Sequence, residues 1–201
     1  MWSIVNAAGW PIWTLIIASV VALAIIIERL VSLRTSNILP DGLLAKTVQE
    51  FRRAGASAEL LGRLQSESPL GRVFAAGLRN HQHSRDITKE AIEETGRAVG
   101  HELERFLTTL GTIAAMAPLL GLLGTVIGMI EIFAAQTPGG GNPQQLAHGI
   151  SVALYNTAFG LMVAIPSMMF YRYFRARVDG LLIDMEQQAI KLVEVLHGDR
   201  S

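Results

Sequence analysis

The sequence predicts an all-α membrane protein with three transmembrane helices, the second and third extended into a cytoplasmic helical bundle. Three observations predict it. Long apolar runs cover residues 10–27, 106–133 and 149–170, and a helix needs about 20 such residues to cross a bilayer. All 17 Lys and Arg lie on one side of those runs, from Arg29 to Arg105 after the first and from Arg172 to Arg200 after the third. The intervening polar stretches repeat apolar residues at gaps of three and four, the period of a helix buried along one face.

Basic residues near membrane spans are retained in the cytoplasm. Residues 1–9 and 134–148 hold none. The expected layout is therefore an outer N-terminus (1–9), a first span (10–31), a cytoplasmic helical region (32–105), a second span (106–133), an outer loop (134–148), a third span (149–173) and a cytoplasmic C-terminal helix (174–201); in a bacterial inner membrane the outer side is the periplasm. Half of the 201 residues are apolar and the formal net charge is zero. Acids interleave with the cations throughout the polar parts, which argues against a polybasic nucleic-acid surface. The chain has no Cys, which excludes disulfides and thiolate metal sites.

The first span carries Trp2, Trp10 and Trp13 at its outer end, where indole rings favour the interface. Glu28 and Arg29 mark its inner end. A cleaved signal peptide would need a basic leader and a small-residue cleavage site. The leader is absent, and Glu28-Arg29-Leu30-Val31 is a poor site. Rich in Leu, Ile and Val, this span reads as lipid-facing.

The other two spans have a different composition. The second is interrupted by Thr108, Thr109, Thr112, Pro118, Gly121, Gly124, Thr125 and Gly128. The third carries Ser151, Asn156, Thr157, Gly160, Pro166 and Ser167. Small residues four apart (Gly121/Thr125, Gly124/Gly128, Ala153/Thr157, Gly160/Ala164) let helix backbones approach closely. These spans read as protein-facing, with Gly121, Gly124, Gly128, Gly160, Pro118 and Pro166 as packing or hinge positions. The hydroxyls admit two readings. Each can bond its own helix backbone, or Thr125, Thr157 and Asn156 can form a polar seam lining a proton path or a partner helix.

Glu131 is the single carboxylate of the second span. An acid inside a membrane is a functional candidate, but Glu131 lies near the periplasmic mouth, where water solvates it. The middle of each span lacks an acid. A proton-moving role therefore requires a carboxylate from another subunit.

In the cytoplasmic parts, helical spacing joins Leu43, Leu44, Val48 and Phe51, then Leu60, Leu61 and Leu64, then Val73, Phe74 and Leu78. Ser57 and Ser68 suit N-caps. Thr88 is expected to cap a helix carrying Ile92, Val99, Leu103 and Phe106 that feeds directly into the second span. The tail repeats Phe174, Val178, Leu181, Met185, Ala189, Leu192 and Leu196. His81 and His83 lack a third metal ligand. His101 and His197 suit solvated helix faces, and His148 sits at the outer mouth. The glycines of residues 136–143 (QTPGGGNP) lack the Lys-Ser/Thr of a phosphate loop. No nucleophile–base–orienter set is recognisable, so neither an enzyme nor a cofactor or metal is expected.

The stretches APLLGLLGTVIGMIEIF (residues 117–133) and GISVALYNTAFGLMVAIP (149–166) resemble the ExbB/TolQ/MotA proton-channel family in order, spacing and topology. The resemblance extends over essentially the whole chain. Three spans and this length favour ExbB or TolQ over the longer, four-span flagellar stator subunit. ERLVSLR and NPQQLAHGIS look more like ExbB. The resemblance implies a bacterial inner-membrane homopentamer around the transmembrane helices of an ExbD-type dimer, which supplies an Asp within the pore. It also implies a TonB-like protein at the first span and coupling of the proton motive force to TonB-dependent outer-membrane transport. TolQ-type service in the Tol-Pal envelope system and a non-conducting membrane scaffold are the alternatives. Thr125 in LLGTVIG and Thr157 in YNTAFGL match the family's pore threonines. Val152 stands where many relatives carry Glu, so that Glu's role does not transfer.

Overall fold

The computed structural model describes residues 9–134 and 143–198; Trp2 and most of the QTPGGGNP segment lie outside the described residues. The described residues form eight helices and no strand. They are α1 (Pro11–Ser32), α2 (Thr35–Ile38), α3 (Leu43–Ala54), α4 (Ala58–Glu67), α5 (Pro69–Arg79), α6 (Arg85–Leu103), α7 (Leu107–Ala134) and α8 (Pro143–Leu196). Three helical stretches are long and apolar enough to cross a bilayer: α1, the stretch Arg85–Ala134 that includes α7, and Leu146–Leu196 within α8. The fold is that of an all-α membrane protein. Chain contacts divide it into two units, Met1–Glu28 with Phe106–Tyr173, and Arg29–Arg105 with Phe174–Ser201.

In the first unit, α1, α7 and α8 share a core. Leu15 is fully buried with Ala117, Val163 and Ala164, and Ile113, Leu120 and Phe159 pack around them. The first span is therefore two-faced. Ile12, Leu15 and Ala22 turn inward, while Trp13, Ile17, Val20 and Leu23 remain exposed. α7 continues through Pro118 and α8 through Pro166, neither of which ends its helix. α8 begins at Pro143, inside the stretch expected as loop, so His148 and Gly149 are already helical. Proline suits a helix's first position because its missing N–H would have no intrahelical partner there.

The second unit is built from shorter amphipathic helices and the C-terminal part of α8. Leu64, Val73, Phe74, Leu78, Val99, Val178 and Leu192 are almost wholly buried, all of them positions that the three-and-four spacing marked. Ser57 accepts from the Leu60 N–H at 3.2 Å and Ser68 from the Gly71 N–H at 3.0 Å, capping α4 and α5.

Two expectations here need correction. Thr88 does not cap α6; Ser84 does, accepting from the Ile87 N–H, while the buried Thr88 hydroxyl reaches back to the carbonyls of Asn80 (3.0 Å) and Ser84 (3.2 Å). Nor does α6 run directly into the second span. It ends at Leu103, and α7 starts at Leu107. Between them Phe106 has φ +65°, the one positive value at a non-glycine among the described residues. Left-handed backbone interrupts a right-handed helix, and a Cβ there costs about 1–2 kcal/mol. Arg29 is also more than a boundary marker. It is 5% exposed and its Nη1 donates to the Leu103 carbonyl at 3.1 Å. That carbonyl closes α6, where unsatisfied C=O groups and the helix dipole favour a cation.

Candidate polar seam between two membrane helices

The seam begins with missing side chains. A Cβ added to Gly121 would stand 2.7 Å from the Asn156 carbonyl oxygen and 3.0 Å from the Thr157 Cα. One added to Gly160 would stand 2.6 Å from the Ala117 carbonyl oxygen. Gly124 leaves room for the Asn156 side chain, and Gly128 faces Ala153. Four glycines thus bring the α7 and α8 backbones into contact over two helical turns. Small residues allow this approach where no hydrophobic force separates protein from lipid.

Close approach brings two hydroxyls together. Thr125 Oγ1 lies 2.5 Å from Thr157 Oγ1. Thr125 also reaches the carbonyls of Gly121 (3.2 Å) and Ala153 (3.1 Å), and Thr157 reaches the same Gly121 carbonyl at 3.2 Å. Two hydroxyl protons serve this set, so it has two arrangements. In one, Thr125 donates to Thr157, which donates to Gly121. In the other, Thr157 donates to Thr125, which donates to Gly121 or Ala153. Each hydroxyl can donate and accept. The pair is half-buried, and Asn156 beside it is buried at 1% exposure.

Other polar groups of these helices stay local. Thr112 donates to the Thr108 carbonyl, Ser151 to that of Ala147 and Ser167 to that of Val163. For them the backbone-bonding reading holds. Glu131 is exposed near the C-terminal end of α7, away from the threonine pair in sequence, and His148 is exposed near the start of α8. No group of three or more His, Cys, Asp or Glu residues suited to a metal occurs among the described residues. The seam is neutral. It can order water and offer hydrogen bonds in either direction, but it holds no group that takes up a proton at physiological pH.

Sequence reasoning missed two further close approaches. A Cβ on Gly149 would meet Ile132 at 2.7 Å, and one on Gly111 would meet the Tyr171 ring at 3.1 Å. For Gly111 the signal was present. Gly111, Ala114, Ala117, Gly121, Gly124 and Gly128 form one unbroken small-residue face at gaps of three and four.

Apolar helices sealed by small residues around paired hydroxyls define an integral membrane protein whose helices are built to face protein. Residues 65–187 match the family described as the MotA/TolQ/ExbB proton channel family. The chain is 34% identical over 165 residues to the biopolymer transport protein exbB1 of Vibrio cholerae, covering 80% of this chain and 72% of that one. It is 38% identical over 130 residues to biopolymer transport protein ExbB of Aquifex aeolicus, covering 64% and 82%. To the Tol-Pal system protein TolQ of Haemophilus influenzae it is 30% identical over 203 residues, covering 91% and 86%. The chain belongs to the MotA/TolQ/ExbB proton channel family.

Proposed function

We propose that this chain is the multi-copy, ExbB-type subunit of a proton-driven machine in a bacterial inner membrane. It assembles as a homopentamer around an ExbD-type dimer and passes the work to a TonB-like protein at α1. Its N-terminus faces the periplasm and its C-terminus the cytoplasm, a reading that the one-sided Lys and Arg support. The observation that carries the reading is the hydroxyl pair Thr125–Thr157, held between helices that glycine has thinned.

The division of labour follows from chemistry. The middle of each span lacks an acid, so the partner's carboxylate takes up the proton. Desolvation in a low-dielectric pore raises that carboxylate's pKa and brings it towards the operating range. Thr125 and Thr157 supply hydrogen bonds to either protonation state through their two arrangements. Asn156 positions the third span at Gly124. Gly121, Gly124, Gly128 and Gly160 set the helix separation, Pro118 and Pro166 are the points at which the helices can bend, and Glu131 lines the periplasmic mouth. A symmetric ring around an asymmetric dimer has several equivalent resting positions, and proton binding steps the dimer among them.

A second reading, the TolQ-type subunit of a Tol-Pal system, is favoured by the Haemophilus influenzae relative, whose match spans 91% of this chain. The partner that co-purifies separates the two. The test of conduction is proton flux into liposomes holding the purified complex. Thr157→Val should leave the complex assembled and reduce flux at least tenfold; wild-type flux in that variant removes Thr157 from the path.

A further inference from the structure

Between α6 and the C-terminal part of α8 lies a hollow of about 500 Å³. Sites for small molecules span about 300–1,000 Å³ and are mostly apolar, with a few polar groups at set places. This hollow has that make-up. Its floor is Val73, Ile92, Leu182, Met185 and Ala189. Val73, Met185 and Ala189 are each 2% exposed, so the floor belongs to the core and is fixed by it.

Glycine opens the hollow. Gly96 and Gly100 both line it and both lie inside α6, where glycine is destabilising relative to alanine. Gly100 has a packing reason, since a Cβ there would stand 3.3 Å from Leu182. Gly96 has none, since a Cβ there would meet nothing within 4 Å. Its missing side chain leaves space that no group of the chain fills.

The charges at the mouth select the occupant. They are Glu93, Glu104 and Glu186, with Arg97 and His101. Arg97 is engaged by Glu93 at 3.5 Å. No hydrogen bond or ion pair joins the side chain of Glu104 or Glu186 to another described residue. Glu104 closes α6 and Glu186 lies on α8, so the two acids belong to opposite walls. With His101 neutral the lining carries an excess of two acids, and a cleft of one sign over an apolar wall concentrates the opposite charge. An anion is repelled there. A bare metal ion gains nothing from the floor, and no metal-ligand cluster occurs among the described residues.

We infer that the α6–α8 hollow binds an amphiphilic organic cation, with its ammonium group at Glu104 and Glu186 and its apolar body over Met185 in the space beside Gly96. The site is independent of the proton role proposed above. The test is equilibrium dialysis of radiolabelled 4-phenylbutylammonium against the full-length protein, purified with its partner subunit in phosphatidylcholine nanodiscs, with empty nanodiscs subtracted. Saturable binding is expected, and at least tenfold weaker binding of the neutral isostere 4-phenylbutanol. The double variant Glu104→Gln, Glu186→Gln alters exposed side chains alone and should weaken the cation at least tenfold. Gly96→Leu fills the space with a better helix former and should do the same. Equal binding of cation and alcohol, or unchanged binding in either variant, overturns the inference. So does binding that appears only after the complex is dissociated, which would assign the hollow to a protein contact.

Discussion

Thr125 and Thr157 share one acceptor: both hydroxyls reach the Gly121 carbonyl at 3.2 Å while standing 2.5 Å from each other. The residue that admits α8 to α7 is thus the one whose carbonyl lies within reach of either hydroxyl, and it can accept from one of them in each arrangement. Packing and polarity are coupled at one atom, and they can be separated by substitution.

Thr157→Ser keeps the hydroxyl and removes a methyl, whereas Thr157→Val keeps the shape and removes the hydroxyl. If the proposed proton role is correct, Ser should retain most proton flux and Val should lose at least tenfold. Both should assemble, since one hydrogen bond is worth about 1 kcal/mol. Equal flux from the two in reconstituted liposomes would assign Thr157 to packing alone.

Gly121→Ala tests the packing half. Its new carbon would stand 2.7 Å from a backbone oxygen that cannot swing aside. Overpacking of this kind costs about 1–3 kcal/mol. Gly62, in α4, is the control, because a Cβ there meets nothing within 4 Å. Gly62→Ala should stabilise by about 0.5–1 kcal/mol, the helix-propensity difference. Thermal unfolding of the detergent-solubilised protein reads both signs; a neutral Gly121→Ala would mean that the helices readily separate.

What was legible in the chain was periodic or compositional. The tail face from Phe174 to Leu192, the caps Ser57 and Ser68, and the small-residue face of α7 each follow from one residue type at a repeating gap. What was not legible depended on tertiary partners. Thr88 and Ser84 are both good capping types, and only burial of Thr88 against Asn80 decides between them. Glycine spacing says that helices approach, but not that Thr125 meets Thr157 rather than its neighbours. Arg29 reads as a boundary charge because charged side chains are almost never fully buried; its carbonyl partner lies 74 residues away.

Arg29→Met should destabilise by about 1–3 kcal/mol, the range for leaving a buried polar group without its partner. The loss should concentrate at the end of α6, with faster amide exchange in residues 100–103. Arg29→Lys should recover only part of it, since a flexible ammonium does not reproduce a planar guanidinium's donors. Uniform exchange rates across α6 in all three proteins would show that Arg29 does not hold the helix end.

Phe106 gives the sharpest backbone prediction, because no Gly, Pro or Asn marks the break between α6 and α7. At φ +65° the cost falls on any Cβ, most heavily on a branched one and least on Asn, which tolerates left-handed backbone. Phe106→Pro cannot adopt this φ, since its ring holds φ near −65°. The expected order of stability is Asn above Val above Pro, with Pro lowest by about 3 kcal/mol, read from unfolding midpoints. The side chain is 39% exposed, so lost burial contributes less than the backbone to that order. If Val or Pro equals Asn, the backbone at 106 is free to leave the left-handed region, and α6 and α7 can join into the single helix that the residue pattern predicts.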